Sequence, residues 1–276
     1  MPHPSPTLLT DLTIDDEGSF DHVALYADLK RVVEQSSHRF FVLRGRSRQT
    51  SWERAAFLNL TFWHADESMD VLVDKHIPAD VVAHIAWHAL ASKHLSTPGE
   101  RPTVSALLVS EAIASAFDLY LVGRLLGHQP DSEFLTTQVP QMAECAENAG
   151  MTEAAFEDLL GGVAADPEKA FEDLRALLVD AAEGLYKCRG AEQAAGALDA
   201  LEDRRFSAIL HHYELSNWVL YARAYGRPST DDDPARACDQ MLRKSKVALD
   251  WLEEHWVRPA LDAAPREHSS RRARPR

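Results

Sequence analysis

The sequence contains little cysteine. Three cysteines, Cys145, Cys188 and Cys238, are spread over 276 residues and lie more than 40 residues apart. This odd number and wide spacing exclude the CxxC pattern of a thiolate metal site and argue against a disulfide framework. Isolated cysteines of this kind are typical of reduced, buried thiols in a cytoplasmic protein. We therefore expect a cytoplasmic location.

Basic charge is also scarce. The chain has 29 Lys and Arg against 43 Asp and Glu, which gives a formal net charge of −14 at pH 7. Proteins that bind a phosphate backbone usually present a basic surface, so this acidic excess argues against nucleic acid as a partner. The last eleven residues are an exception, with five Arg and one Glu. Residues 259–276 are therefore predicted to form a disordered basic tail.

The N-terminus lacks the features of a secretory signal. Its first 20 residues have neither a basic region nor an apolar stretch, and they contain Asp11, Asp15, Asp16 and Glu17 instead. No uncharged apolar run approaches the roughly 20 residues that a membrane helix needs. We expect a soluble protein with no membrane span and a flexible segment over residues 1–20.

Several common catalytic and nucleotide-binding motifs are absent. The chain has no GxGxxG, GxxxxGK[ST] or GxSxG pattern and no paired ExxH. These absences remove the usual signals for dinucleotides, P-loop nucleotides, α/β-hydrolases and ferritin-like di-iron sites. The other polar clusters of the chain are therefore the candidates for a functional site.

Hydrophobic periodicity predicts a short mixed region at the start of the chain. Residues 21–36 have apolar side chains at helical spacing, behind an Asp21 that can cap the helix. Three short segments rich in β-branched and aromatic residues predict strands. These strands are at 39–44, 57–64 and 69–74, with a helix predicted at 52–56 and a hairpin turn at 65–68.

After Pro78 the pattern is helical almost to the end of the chain. Helices are predicted at 79–95, 103–127, 131–149, 152–161, 167–188, 191–225 and 234–257, separated by Pro, Gly and Asp signals. The predicted fold is α+β and predominantly α-helical, with a small N-terminal sheet, a helix pair and a helical C-terminal body. Residues 21–127 are assigned to the sheet and helix pair, and residues 128–258 to the helical body.

The most informative polar pattern lies in the first two of these helices. His84 and His88 are one turn apart, so both imidazoles project from one face and can bind one metal ion. The next helix offers Glu111 among small residues that permit close helix approach. A Glu on an otherwise apolar face is costly to bury unless it is paired or metal-bound. Two His and one Glu, with an open fourth position, form a zinc site of the hydrolytic type.

This pattern resembles that of the gluzincin metallopeptidases, in which HExxH is followed by a metal-binding Glu on the next helix. The resemblance covers about residues 55–127, where HIAWH is followed after 22 residues by Glu111. It implies a zinc ion bound by the two His and the Glu. It also implies a residue that orients the first His, in a place that Ser115 occupies here, with Asp118 further along the same face.

One departure limits the activity that the resemblance implies. The Glu that follows the first His, the general base of these enzymes, is replaced by Ile85. Without a positioned proton acceptor, an acid–base contribution of roughly 10²–10⁴ in rate is lost. Either the protein has lost peptidase activity, or another acid such as Asp66, Glu67 or Asp80 supplies the base. Asp80, one turn before His84, is also a candidate to accept the second N–H of that imidazole.

A second polar cluster lies within the helix predicted at 191–225. His211 and Glu214 are three residues apart and could line a pocket as catalytic residues. The resemblance implies a role for such a His, because gluzincins place an electrophilic or proton-donating His on a later helix. The alternative is a His–Glu pair on the surface of a helix.

Three functions are compatible with these patterns. The first is a zincin-like metal-binding protein without conventional peptidase activity, with a peptide or protein as its ligand. The second is a non-catalytic helical interaction module whose acidic surface binds a basic partner. The third is a non-haem iron enzyme, because two His and one carboxylate are also the ligand set of that class.

Overall fold

A computed structural model describes residues 3–36, 38–44, 62–63, 68–72, 74–97 and 99–263, and side chains within 5–36, 38–42, 72, 74–97 and 99–263. These residues form a predominantly helical protein with a small amount of strand near the N-terminus, which confirms the predicted α+β class. The helix predicted at 52–56 and the acids Asp66 and Glu67 lie outside the described residues.

The strands form two small sheets. A four-stranded sheet has the order β1-β3-β5-β4, in which β3 and β5 are parallel and the outer pairs are antiparallel. A second sheet pairs β2 with β6 in parallel. The antiparallel pairing of Phe62 with Met69 confirms that these two predicted strands are neighbours, and residues 65–67 of the predicted turn lie outside the described residues. The strands are β1 (His3–Thr7), β2 (Thr13–Asp15), β3 (Phe40–Arg44), β4 (Phe62–Trp63), β5 (Ser68–Leu72) and β6 (His76–Pro78).

The N-terminal segment is more ordered than the sequence predicts. Residues predicted to be flexible form β1 and β2 and two short 3-10 helices, and they bury the side chains of Leu9 and Phe20. Strand β1 pairs with β3 more than 30 residues away, and its two prolines are tolerated because it is an edge strand. The second 3-10 helix, Glu17–Phe20, also moves the first α-helix forward, so that Val23 and not Asp21 is its N-cap.

The helices account for most of the protein. They are α1 (Ala24–Gln35), α2 (Ala79–Leu95), α3 (Val104–Leu125), α4 (Glu133–Asn148), α5 (Glu153–Ala165), α6 (Pro167–Lys187), α7 (Ala191–Asp199), α8 (Leu215–Tyr225), α9 (Pro234–Lys244), α10 (Ala248–Leu252) and α11 (Arg258–Asp262). A 3-10 helix, Ser207–Tyr213, precedes α8, and a π-helix, Glu253–Val257, joins α10 to α11.

Two predicted helices are broken in the structure. The prediction of one helix over 191–225 is wrong, because α7 and α8 are separated by turns and the 3-10 helix. Glu214 has a φ of +47°, a left-handed conformation that ends the 3-10 helix and redirects the chain into α8. The helix predicted over 234–257 is also interrupted, because α9 ends at Lys244 and α10 begins at Ala248.

Helix α3 lies at the centre of the helical region. Most of its surface is apolar, and it packs against α2, α4, α5, α6, α8 and α9. Its polar residues Ser110, Glu111 and Asp118 lie towards α2. Among the described residues it is also the one helix long and apolar enough to cross a membrane, and 83% of its most apolar window is buried inside the protein. A Cβ at Gly123 would lie 2.7 Å from the Val163 carbonyl oxygen, so glycine permits the close approach of α5.

Candidate metal centre

The candidate site lies between α2 and α3, which pack against each other. On α2, Asp80, His84 and His88 follow a four-residue spacing and therefore share one face. The intervening Ile85 and Trp87 are buried in the core, where Trp87 makes an edge contact with Phe117 of α3. The packing of Ile85 and Trp87 in the core therefore sets the rotation of α2 about its axis, and this rotation directs the two histidines towards Glu111.

Glu111 of α3 lies next to both histidines. Its Oε2 atom is 3.6 Å from Nε2 of His88 and 4.0 Å from Nε2 of His84. One potential ligand atom from each residue lies within 4.8 Å of the others, so the three could hold a metal ion. In a tetrahedral zinc site with bonds of about 2.0–2.1 Å, ligand atoms are about 3.4 Å apart, so binding requires a contraction of about 1 Å or a little more.

Each histidine is held at its other ring nitrogen. Nδ1 of His84 lies 3.3 Å from Oδ2 of Asp118, and Nδ1 of His88 lies 2.8 Å from Oγ of Ser110. These contacts leave Nε2 of each ring directed towards Glu111. Metal-binding histidines usually have such a hydrogen bond at the nitrogen that does not bind the metal, because it fixes the ring and its tautomer.

The sequence placed Asp118 on the same face of the helix as Glu111, but it gave no sign of the contact of Ser110. The sequence placed Ser115 in the orienting position, and in the described residues its side chain has no hydrogen bond to either histidine. Helix geometry explains the difference. At about 100° per residue, Asp118 lies about 20° from the direction of Glu111, whereas Ser115 lies about 40° away on the other side. The face of α3 that meets α2 contains Ser110 and Asp118.

Burial and neighbouring charges shift the pKa values at the site. Burial alone would lower the pKa of His84, but the Asp118 charge and hydrogen bond, with Glu111 and Asp80, raise it to about 9. Burial raises the pKa of Glu111 to about 7. Burial and the charge of His84 lower the pKa of His88 well below its usual value. The metal-free site therefore holds protons that a cation would displace.

Asp80 adds a third carboxyl group to the surroundings of His84. Burial, followed by repulsion from Asp118, raises the pKa of Asp80 to about 7, while the charge of His84 acts in the opposite direction. No hydrogen bond joins Asp80 to His84 among the described residues. Three acids, Asp80, Glu111 and Asp118, thus lie close to two imidazoles, an arrangement whose negative charge favours a bound cation.

The site is partly open to solvent. The side chain of His88 is 10% exposed, that of Glu111 is 21% exposed and that of His84 is 29% exposed. Solvent would therefore reach a metal bound by these three side chains from the side of His84, which is the most exposed of them. Ile85, the residue that follows the first histidine, is buried in the core.

The predicted catalytic pair, His211 and Glu214, is not part of this group. Both side chains are exposed, and Glu214 accepts a hydrogen bond from Asn217. The 3-10 helix directs their neighbours His212 and Tyr213 inward, where the charge of Asp118 affects the pKa of both. Burial lowers the pKa of His212, and the Asp118 charge opposes that effect.

An aromatic residue of α8 also lies near the site. The pKa of Tyr221 is raised to about 12 by burial, by Tyr225 and by the charge of Glu111. The rings of Tyr221 and Tyr225 are 4.7 Å apart, and Tyr225 is 45% exposed. In the sequence, Tyr221 and Tyr225 are four residues apart on a helix, and nothing there indicates that Tyr221 lies near Glu111. The sequence therefore did not predict this neighbour of the site.

Comparison of the chain with protein-family models, curated proteins and solved structures finds no match. The chemistry of the candidate site is therefore inferred from the atoms of its side chains. Those atoms are two imidazole nitrogens and a carboxylate oxygen that converge at a partly open surface.

Proposed function

We propose that the protein binds one zinc ion through His84, His88 and Glu111, as a zincin-like relative of metallopeptidases that lacks conventional peptidase activity. The observation that carries this proposal is the convergence of the three ligand atoms within 4.8 Å. Imidazole nitrogen and carboxylate oxygen are both common zinc ligands.

The groups around the ligands support the proposal. Asp118 and Ser110 hold the Nδ1 atoms, so both Nε2 atoms can serve as ligands while the Nδ1 contacts are kept. The three nearby carboxyl groups would also balance the charge of a divalent cation. When no cation is bound, burial raises the pKa of Glu111 to about 7. Such pKa shifts are common at functional sites.

The openness of the site favours a reactive or ligand-binding metal over a purely structural one. Structural zinc sites are usually closed by four protein ligands, whereas catalytic ones have three and leave a position open. The described residues supply one group of three such side chains, and it is reached from solvent. When bound there, zinc would polarise a water or a carbonyl oxygen of a peptide or protein ligand.

Conventional peptide hydrolysis also needs a base at the metal-bound water, and the chain has Ile85 in that place. Asp118 is engaged with His84, and the pKa of Asp80 is affected by the charges of both. A lost general base reduces the rate by roughly 10²–10⁴. We therefore assign the site to metal and ligand binding rather than to peptidase activity.

Iron is a second candidate for the same site. Two histidines and one carboxylate with open positions are also the ligand set of non-haem iron oxygenases. The identity of the metal in the purified protein separates the two functions.

Zinc titration of the chelator-treated, full-length protein tests the proposal. Calorimetry is expected to give one site per chain, and Glu111→Gln is expected to weaken binding at least tenfold because a charged ligand is lost. The matched control is Glu202→Gln, at an exposed position far along the chain. Equal zinc affinity in wild type and Glu111→Gln would contradict the assigned ligand set.

A further inference from the structure

The two histidines of the site are held by chemically different partners. His84 faces the carboxylate of Asp118, whereas His88 faces the hydroxyl of Ser110 at 2.8 Å. A carboxylate only accepts hydrogen bonds, but a hydroxyl can both donate and accept. This difference determines which tautomer each imidazole can adopt.

A neutral imidazole has one N–H and one lone pair. Beside Asp118, the proton of neutral His84 belongs on Nδ1, and Nε2 has the lone pair. Beside Ser110, His88 can adopt either form. Its Nδ1–H can donate to Ser110 Oγ, or the Ser110 hydroxyl can turn and donate to a bare Nδ1. The hydrogen bond between the two residues is kept in both forms.

We propose that Ser110 is a positioning residue that lets His88 exchange its tautomer when a metal binds. The inference rests on the proposed zinc site. In the metal-free protein, Nε2 of His88 lies 3.6 Å from an oxygen of Glu111, so a proton on Nε2 is attracted to that carboxyl group. When Glu111 is ionised, a lone pair in the same place would face an oxygen lone pair and be repelled.

Zinc binding requires the opposite arrangement. Nε2 of His88 must then present its lone pair to the metal, so the proton leaves Nε2 and one proton is taken up at Nδ1. The number of protons on His88 does not change, because one proton leaves Nε2 and one arrives at Nδ1. Ser110 turns its hydroxyl to accept from Nδ1–H, so no buried polar group loses its partner during the exchange.

Nitrogen-15 NMR of the imidazoles in the full-length protein tests this inference. A His88→Gln variant identifies the His88 signals by their loss. Above pH 7, where Glu111 is ionised, we expect wild-type His88 to have its proton on Nε2 without metal and on Nδ1 after addition of zinc chloride. Ser110→Asp, which can only accept, is expected to keep the proton on Nδ1 in both states. A wild-type His88 that already has its proton on Nδ1 without metal would overturn the inference.

Zinc affinity provides the second measurement. Ser110→Ala leaves Nδ1–H of His88 without an acceptor and is expected to weaken zinc binding about 10- to 100-fold. Ser110→Thr retains the hydroxyl and is expected to restore affinity to near the wild-type value. Equal affinity in Ser110→Ala and wild type would overturn the inference. If the wild type itself bound no zinc, the proposed function would fail, and the metal-free NMR spectrum would still decide the role of Ser110.

Discussion

Nδ1 of His84 lies 3.3 Å from Oδ2 of Asp118, and this contact joins the two central helices at the candidate metal site. Asp118 is seven residues beyond Glu111, two turns along the same face of α3. A carboxylate in this position fixes the imidazole so that Nε2 can bind a metal, and it raises the basicity of that ligand.

Replacing the carboxylate tests this role. Asp118→Asn preserves the size of the side chain but removes its charge, and zinc affinity is expected to fall about 10- to 100-fold. Competition with a chromogenic chelator measures the change. Asp203→Asn, at an exposed position, is the control and is expected to bind zinc as the wild type does. An unchanged affinity in Asp118→Asn would mean that His84 is oriented in another way.

Zinc affinity is expected to depend steeply on pH. The pKa of His84 is raised to about 9 and that of Glu111 to about 7, so a metal must displace a proton from His84 below pH 9 and from Glu111 below pH 7. Each displaced proton weakens apparent affinity about tenfold per pH unit, so affinity falls with a steeper slope below pH 7. Calorimetry in buffers of different ionisation enthalpy counts the protons. A pH-independent affinity between pH 6 and pH 8 would contradict this protonation scheme.

Peptide hydrolysis is expected to be absent even in the zinc-loaded protein. Ile85 is 7% exposed and packs in the core, so it provides no proton acceptor at the metal. A library of quenched fluorescent peptides, with and without added zinc, measures this activity. Cleavage that is lost in Glu111→Gln would contradict the assignment and would show that another acid serves as the base.

The close approach of α3 and α5 gives a prediction about stability. Gly123→Ala places a Cβ 2.7 Å from the Val163 carbonyl oxygen, and the unfolding free energy is expected to fall by about 1–3 kcal/mol. The control is Gly196→Ala in α7, where a Cβ meets no atom within 4 Å. That change is expected to stabilise the protein by about 0.5–1 kcal/mol through helix propensity. Denaturant unfolding of both variants measures the two effects, and equal stability would contradict this packing.

The grouping of His84, His88 and Glu111 could be predicted because it depends on local rules. The four-residue spacing of His84 and His88 defines one face of a helix wherever that helix lies. Glu111 could be added because a short connection between two helices brings the second back along the first. Asp118 followed because it shares the face of Glu111.

Other parts of the site depend on tertiary structure. The contact of Ser110 with His88 requires the rotation of α3 about its axis, which is determined by packing on its other faces. The inward direction of His212 depends on the 3-10 helix and on the left-handed conformation of Glu214, where the sequence pattern favours a continuous helix. Strand β1 could not be predicted because its partner, β3, is distant in the chain.

Elemental analysis of the freshly purified, full-length protein tests the central claim most directly. The protein is compared with a His84→Ala, His88→Ala double variant and with His211→Ala, which changes an exposed histidine outside the group. We expect one zinc per chain in the wild type and in His211→Ala, and loss of zinc in the double variant. Iron in place of zinc would favour the oxygenase function, and no stoichiometric metal in the wild type, or equal metal in all three proteins, would contradict the proposed site.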